Sequence, residues 1–128
     1  MNTEERDDLN SLTEQVLAAI FEVSNTLGAG FLEKVYENAL MVELRYSGVQ
    51  VAQQPSFVVR YREEIVGSYV PDLIVEGAVI VEVKALSRSD PVHRMQCMNY
   101  LHTTGLNVAL LVNFGLPRLD VQRVVYEF

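Results

Sequence analysis

The chain has 128 residues, about half of them hydrophobic, which is typical of one globular domain with a buried core and excludes a disordered chain. Its formal net charge of −7 argues against a protein that coats nucleic acid with a basic surface, but leaves open an enzyme that acts on nucleic acid. The single cysteine, Cys97, excludes an intrachain disulfide. No apolar run is long enough to span a membrane, and the acidic N-terminus is unlike a signal peptide, so we expect a cytoplasmic protein.

Two amphipathic helices are predicted in the first part of the chain. Apolar residues recur at spacings of three and four over residues 4–26, and the glycines at 28 and 30 end this helix. A second helix with its own apolar stripe is predicted over residues 31–46, and residues 47–50 form a turn into sheet. The apolar face of the first helix also offers a surface for a homodimer.

The middle of the chain alternates apolar and polar residues, which predicts strands. Three segments, at residues 56–62, 64–75 and 78–86, are separated by turns near Glu63–Glu64 and Glu76–Gly77. We therefore expect a three-stranded antiparallel meander.

The last part of the chain is predicted to add one helix and two strands. The helix has Ser89 or Asp90 as its N-cap, Pro91 at its first position and Gly105 at its end. Two strands follow, at residues 107–115 and 121–128. The order ααβββαββ predicts one α/β domain over residues 1–128.

Three charged residues interrupt the most apolar of these strand segments. Glu82 and Lys84 are two positions apart, so they lie on the same face of a strand, and Asp72 belongs to the preceding strand. A loop with an odd number of residues, such as 76–78, places Asp72 directly opposite Glu82. A two-residue loop would pair Asp72 with Val81 instead and separate the two carboxylates.

Converging carboxylates suggest a metal site. Two nearby anions repel each other, and burial raises the cost, unless a divalent cation lies between them. The carboxylates of Asp72 and Glu82, with the carbonyl of Val83, suit Mg²⁺ or Mn²⁺, and Lys84 could orient a water molecule or stabilise negative charge. The alternative is that Asp72 simply begins a strand while Glu82 and Lys84 form a same-face ion pair.

Three short motifs point to a known group of proteins. "PD" at residues 71–72, followed by "EVK" at residues 82–84, resembles the motif of the PD-(D/E)XK nuclease superfamily. "GFLEKVY" at residues 30–36 is similar to the motif of the small GxxExxY family within that superfamily, and "QCMNY" at residues 96–100 is similar to a motif of its RecB-like exonuclease branch. The resemblance covers nearly the whole chain.

This resemblance implies a restriction-endonuclease-like core, in which helices flank a mixed β-sheet. It implies that Mg²⁺ or Mn²⁺ is held by Asp72, Glu82, Glu33 and the Val83 carbonyl. The residues that it places in catalysis are Lys84, Glu33, Gln96 and Tyr100. Lys84 would assist the attacking water, whereas Gln96 and Tyr100 would support the site or contact the substrate backbone.

Simpler roles stay open for several of these residues. Glu33 lies where a glutamate that caps a helix N-terminus would lie, and Tyr36 has the position of a core residue. Gln96 and Tyr100, one helical turn apart, could form only a polar spot beside the core.

The expected function is a divalent-metal-dependent nuclease that hydrolyses phosphodiester bonds in DNA. The alternative is a non-catalytic module that binds nucleic acid or protein, paired as a homodimer. The small size and the acidic charge of the chain favour this alternative.

Overall fold

Three helices and seven strands follow one another along the chain, and the computed structural model describes all residues from Met1 to Phe128. No helix is long and apolar enough to cross a membrane. In chain order the elements are α1 (Thr3–Leu27), α2 (Glu33–Tyr46), β1 (Val51–Gln53), β2 (Phe57–Tyr61), β3 (Glu64–Tyr69), β4 (Leu73–Val75), β5 (Val79–Lys84), α3 (Pro91–Thr104), β6 (Val108–Asn113) and β7 (Asp120–Val125).

A five-stranded mixed sheet with the order β1-β4-β5-β6-β7 forms the centre of the fold. Only β5 and β6 run parallel, and α3 connects them; all other neighbouring strands are antiparallel. Helices α1 and α2 cover one face of the sheet and α3 covers the other. The predicted α/β class, with helices flanking a mixed sheet, is confirmed.

The two faces of β5 are buried in different cores, as expected of a central strand. Val79, Val81 and Val83 pack against α1 and α2, whereas Ile80 packs against Cys97 of α3. Glu82 and Lys84 follow Ile80 on the α3 face by strand alternation. The charged residues of this strand are therefore held at the end of an otherwise apolar face.

The three predicted helices are confirmed, and their ends have the expected chemistry. The Asp90 side chain accepts a hydrogen bond from the Val92 N–H at the start of α3, and Gly105 ends this helix in the left-handed conformation. The apolar stripe of α1, which the sequence offered as a dimer face, is instead buried against the core.

The predicted three-stranded meander is wrong, because residues 64–75 form two strands that belong to different sheets. β3 pairs with β2 in a separate two-stranded sheet, and β4 pairs with β1, a strand that the sequence reading did not resolve. Pro71 lies at the break, since proline has no N–H to donate to a sheet ladder. The β2–β3 hairpin exposes apolar side chains on both faces, so its alternation carried no information about which sheet it joins.

Candidate active site

The loop between β4 and β5 has the register that brings the two carboxylates together. Val75 pairs with Val79 and Leu73 pairs with Val81, so the loop has three residues and Asp72 lies opposite Glu82. Glu76 and Gly77 both adopt positive φ, which closes the tight loop. The odd-numbered loop expected from the sequence is confirmed.

Hydrogen bonds hold both carboxylates at the end of this ladder. The Glu82 Oε1 atom accepts from the Asp72 N–H at 3.2 Å and from the Tyr69 hydroxyl at 2.9 Å. The Asp72 Oδ2 atom accepts from the Val83 N–H at 2.7 Å. Glu82 is buried, with 8% of its surface exposed, and Asp72 is half-buried. The second oxygen of Glu82 accepts no hydrogen bond from the protein.

The carbonyl of Val83 lies on the same side as Asp72. The N–H and C=O of a strand residue point to the same side, and the Val83 N–H is directed to Asp72. Continued two residues beyond its last pair, Leu73 with Val81, the β4–β5 register places Pro71 opposite Val83, and proline has no N–H to donate. The proline of the motif therefore leaves the Val83 oxygen without a partner from the neighbouring strand.

Burial raises the pKa of both carboxyl groups, so each ionises less readily than it would in water. Desolvation is the largest cause that raises the pKa of Asp72 to about 6, against the hydrogen bond from the Val83 N–H, which lowers it. Desolvation and then the charge of Asp72 raise the pKa of Glu82 to about 7, whereas the Tyr69 hydroxyl lowers it. A cation between these groups would favour their charged forms.

The chemistry of these donors fits Mg²⁺ or Mn²⁺. No group of three or more His, Cys, Asp or Glu side chains is arranged to hold a metal ion, so side chains alone do not form a complete cage. Mg²⁺ does not need such a cage, because it usually takes one or two carboxylates and completes its shell with water and substrate phosphate. Asp72, Glu82 and the Val83 carbonyl match that pattern.

Lys84 lies beside the carboxylates but forms no ion pair with either of them. The one salt bridge in the chain joins Lys34 and Glu37, and the Lys84 ammonium donates no hydrogen bond within the protein. Its positive charge still lowers the pKa values of Asp72 and Glu82. Lys84 thus keeps its donors free for a ligand, and the same-face ion pair with Glu82, the alternative to a metal site, is not formed.

Glu33 does not join this cluster. It is the first residue of α2, its side chain is exposed, and it makes no hydrogen bond with Asp72, Glu82 or Lys84. One helical turn later, Glu37 lies on the inner side of α2 with 3% of its surface exposed. Glu33 and Glu37 lie one turn apart on the same side of α2, but only Glu37 is buried, in line with Leu40 and Leu44.

Glu37 is linked to Asp72 through Gln54. The Gln54 side-chain amide donates to Glu37 at 3.1 Å and to Asp72 at 3.4 Å, and Lys34 donates to Glu37 at 2.9 Å. Burial raises the pKa of Glu37, but the hydrogen bonds from Lys34, Gln53 and Gln54 outweigh burial and leave that pKa lowered. Glu37 is thus an acid next to Asp72, and its negative charge is one of the causes that raise the pKa of Asp72.

The family comparison agrees with this geometry. Residues 10–124 match the family model described as the PD-(D/E)XK nuclease superfamily. The chain belongs to that superfamily.

A solved structure supports the fold of this superfamily member. The protein described as "Crystal structure of SSO0001" aligns with a TM-score of 0.57 at 14% identity, over 74% of this chain and 50% of that one. The chain thus spans about half the length of SSO0001, and the likeness concerns the fold alone. It agrees with the expected restriction-endonuclease-like core. No curated protein matches the sequence.

Of the three remaining motif residues, one lies next to the site, one is exposed and one is buried away from the carboxylates. Tyr100 is half-buried and stacks on Tyr69 with ring centroids 3.3 Å apart, so it lies next to the tyrosine that bonds Glu82. Gln96 is exposed on α3 and makes no hydrogen bond. Tyr36 is fully buried, and its hydroxyl donates to the Gly28 carbonyl at 2.6 Å, so it fastens the α1–α2 turn.

Three contributors to the site were missed from the sequence: Glu37, Gln54 and Tyr69. Glu37 had one available signal, since it is an acid that lies among the apolar residues of a helix stripe. Tyr69 lies in a segment whose pairing was predicted wrongly, and Gln54 follows β1, a strand that was not predicted, so no pattern could bring them to Glu82 and Asp72.

Proposed function

We propose that this chain is a divalent-metal-dependent nuclease that hydrolyses phosphodiester bonds in DNA, built as a single nuclease-like domain over residues 1–128. The observation that carries the proposal is the meeting of Asp72 with the buried Glu82 at the end of the β4–β5 ladder, next to Lys84, whose ammonium forms no ion pair. On the motif "GFLEKVY", we also assign the chain to the GxxExxY family.

In this proposal Asp72, Glu82 and the Val83 carbonyl hold Mg²⁺ or Mn²⁺. The ion, when bound, would lower the pKa of a water ligand and offset the negative charge of the phosphate. We assign no ligand role to Glu33, since its side chain is exposed. Glu37 acts indirectly, because it fixes the Gln54 amide that donates to Asp72.

The other residues of the site bind and orient. Lys84 has three donors and no partner, so it can contact a non-bridging oxygen of the scissile phosphate or orient the attacking water. Tyr69 holds Glu82 through its hydroxyl, and Tyr100 packs on the Tyr69 ring and keeps it in place. Gln96, exposed on the same helix, has a free amide for the substrate backbone.

Cleavage assays on four substrates test the proposal. The purified chain is incubated with single-stranded DNA, double-stranded DNA and the two corresponding forms of RNA, with Mg²⁺, Mn²⁺ or EDTA. We expect cleavage of DNA that requires the cation and is abolished in Lys84→Met and Asp72→Asn. Cleavage that survives in both variants would show that a contaminating or different site is responsible.

A non-catalytic interaction module is the second candidate, and the β2–β3 hairpin favours it. Val58, Tyr61, Ile65 and Val66 expose between 46% and 66% of their surfaces on this hairpin. Light scattering would reveal a homodimer, and a dimer without cleavage of any substrate would support this candidate. The cytoplasmic location stays a prediction.

A further inference from the structure

A polar cleft lies beside Lys84 on the α3 side of the sheet. Its walls include Lys84, His93 and Asn113. Asn113 pairs with Lys84 across the parallel strands, so the cleft lies where the carboxyl ends of β5 and β6 meet the start of α3. Crevices at the carboxyl ends of parallel strands are the usual ligand sites of α/β sheets.

Three polar groups in this cleft have no partner. Asn113 has 5% of its surface exposed, and its Oδ1 atom accepts from the Leu86 N–H at 2.9 Å and from the Gly115 N–H at 3.0 Å. These two bonds fix the orientation of the amide, and its buried Nδ2 atom donates to nothing. The buried Nδ1 atom of His93 is also unpaired, and the Lys84 ammonium forms no ion pair.

The acidic side chains of the cleft each accept hydrogen bonds through one oxygen, whereas Asp90 Oδ2 and Asp120 Oδ1 accept none. Asp90 accepts from the Val92 N–H at 3.0 Å, and the Gln122 side-chain oxygen accepts from Arg94 at 3.3 Å. Asp120 accepts from Gln122 at 3.5 Å. Asn113 and Lys84 offer donors only, and the imidazole of His93 can carry a proton on Nδ1. A ligand that pairs with the three groups that have no partner must supply acceptors.

Phosphate oxygens are acceptors, and they carry the negative charge that Lys84 favours. The first turn of α3 adds a positive helix end. We propose that this cleft binds a second backbone phosphate of the nucleic acid, next to the phosphate that is hydrolysed, through Asn113 Nδ2 and His93 Nδ1, with Lys84 between the two phosphates. This inference rests on the proposed nuclease function. It adds a binding site for the backbone phosphate next to the one that is hydrolysed.

The variant Asn113→Asp tests the proposal with little change of shape. It keeps an oxygen for the Leu86 and Gly115 N–H groups but replaces the free donor with a negatively charged acceptor. The matched control is Asn25→Asp, which adds the same charge to an exposed position of α1, in the helical layer on the other face of the sheet. His93→Leu removes the second polar atom without adding charge, and it serves if Asn113→Asp does not fold.

Binding of a labelled single-stranded DNA is measured by fluorescence anisotropy in EDTA. Loss of a hydrogen bond to a charged group corresponds to an affinity about 10- to 100-fold lower. We expect that loss in Asn113→Asp, a loss of about tenfold in His93→Leu, and no change in Asn25→Asp. Equal affinities in His93→Leu, Asn113→Asp and the control would overturn the proposal.

Titration of the full-length wild-type chain with orthophosphate, followed by NMR, separates this inference from the nuclease proposal. Shifts of the Asn113 side-chain amide and His93 ring signals support the cleft as a phosphate site, and signals that do not move overturn it. If the wild-type chain neither binds nor cleaves DNA, the nuclease proposal fails, and this titration alone decides whether the cleft binds phosphate.

Discussion

Replacing Glu82 with glutamine should make the metal-free protein more stable at alkaline pH, although it removes a proposed ligand. Burial and the charge of Asp72 raise the pKa of Glu82 from 4.5 to about 7. The folded state therefore keeps a proton on Glu82 that the unfolded state has already lost. Stability falls as the pH rises from about 4.5 through about 7, because ionisation costs more in the folded state.

The size of this effect follows from the shift in pKa. Each unit corresponds to about 1.4 kcal/mol, so the shift of Glu82 corresponds to about 3 kcal/mol once the pH exceeds both values. At pH 5 most of this cost is absent. We expect the free energy of unfolding of Glu82→Gln, relative to that of the wild type, to be about 2–3 kcal/mol larger at pH 8 than at pH 5.

Urea unfolding in EDTA at the two pH values measures this difference, and the comparison between pH values cancels any fixed packing effect of the glutamine. Glu14→Gln, which changes an exposed residue of α1, is the control and should show no such dependence. Added Mn²⁺ should stabilise the wild type at pH 8 and Glu82→Gln much less. If the stability of Glu82→Gln relative to the wild type is the same at pH 5 and pH 8, the pKa of Glu82 is not raised by burial and the reasoning is refuted.

Three further changes separate the roles of neighbouring residues. Lys84→Met should slow DNA cleavage about 100-fold or more, because a free donor to the phosphate is lost, while the melting temperature in a thermal scan stays nearly constant. Glu37→Gln should weaken Mn²⁺ binding by about tenfold in calorimetry, whereas Glu33→Gln should not; the opposite ranking would restore Glu33 to the site. Gly115→Ala should cost about 2–3 kcal/mol in urea unfolding, since its Cβ would lie 2.5 Å from the Leu86 nitrogen; a variant as stable as wild type would contradict that packing.

Much of the fold could be predicted, because helices and central strands have strong local signals. The stripe of α1 and the caps of α3 identify two helices, and the apolar run around Val81 identifies a strand buried on both faces. The register of the β4–β5 loop could also be inferred, since only an odd loop brings Asp72 opposite Glu82. The requirement that the two carboxylates meet therefore predicted the odd length of the loop, which the alternation of apolar and polar residues alone did not determine.

The pairing of the outer strands could not be predicted from these signals. β1 has three residues, and its hydrogen bonds go to β4, which is separated from it by the whole β2–β3 hairpin. Such a pairing depends on contacts that are distant in sequence, and it has no local pattern. The same limit explains why Tyr69 and Gln54 were missed, because each reaches the carboxylates from a segment next to β4.

Glu33 occupies the motif position, but its side chain does not reach the carboxylate site. The motif names the acid at the exposed first position of α2, but the acid one turn further along the same side, Glu37, is buried and bonded to Gln54, which also donates to Asp72. A spacing pattern gives the order of residues along a helix, whereas burial decides which of them reaches the site.

A crystal of the chain soaked in Mn²⁺ tests the central claim most directly, through the anomalous signal of the ion. The proposed site predicts one strong peak within coordination distance of the Asp72 and Glu82 carboxylates and the Val83 carbonyl. The same soak of Asp72→Asn should lose that peak. A wild-type crystal whose manganese lies elsewhere, or that binds none while both carboxylates are intact, would contradict the metal-dependent nuclease site.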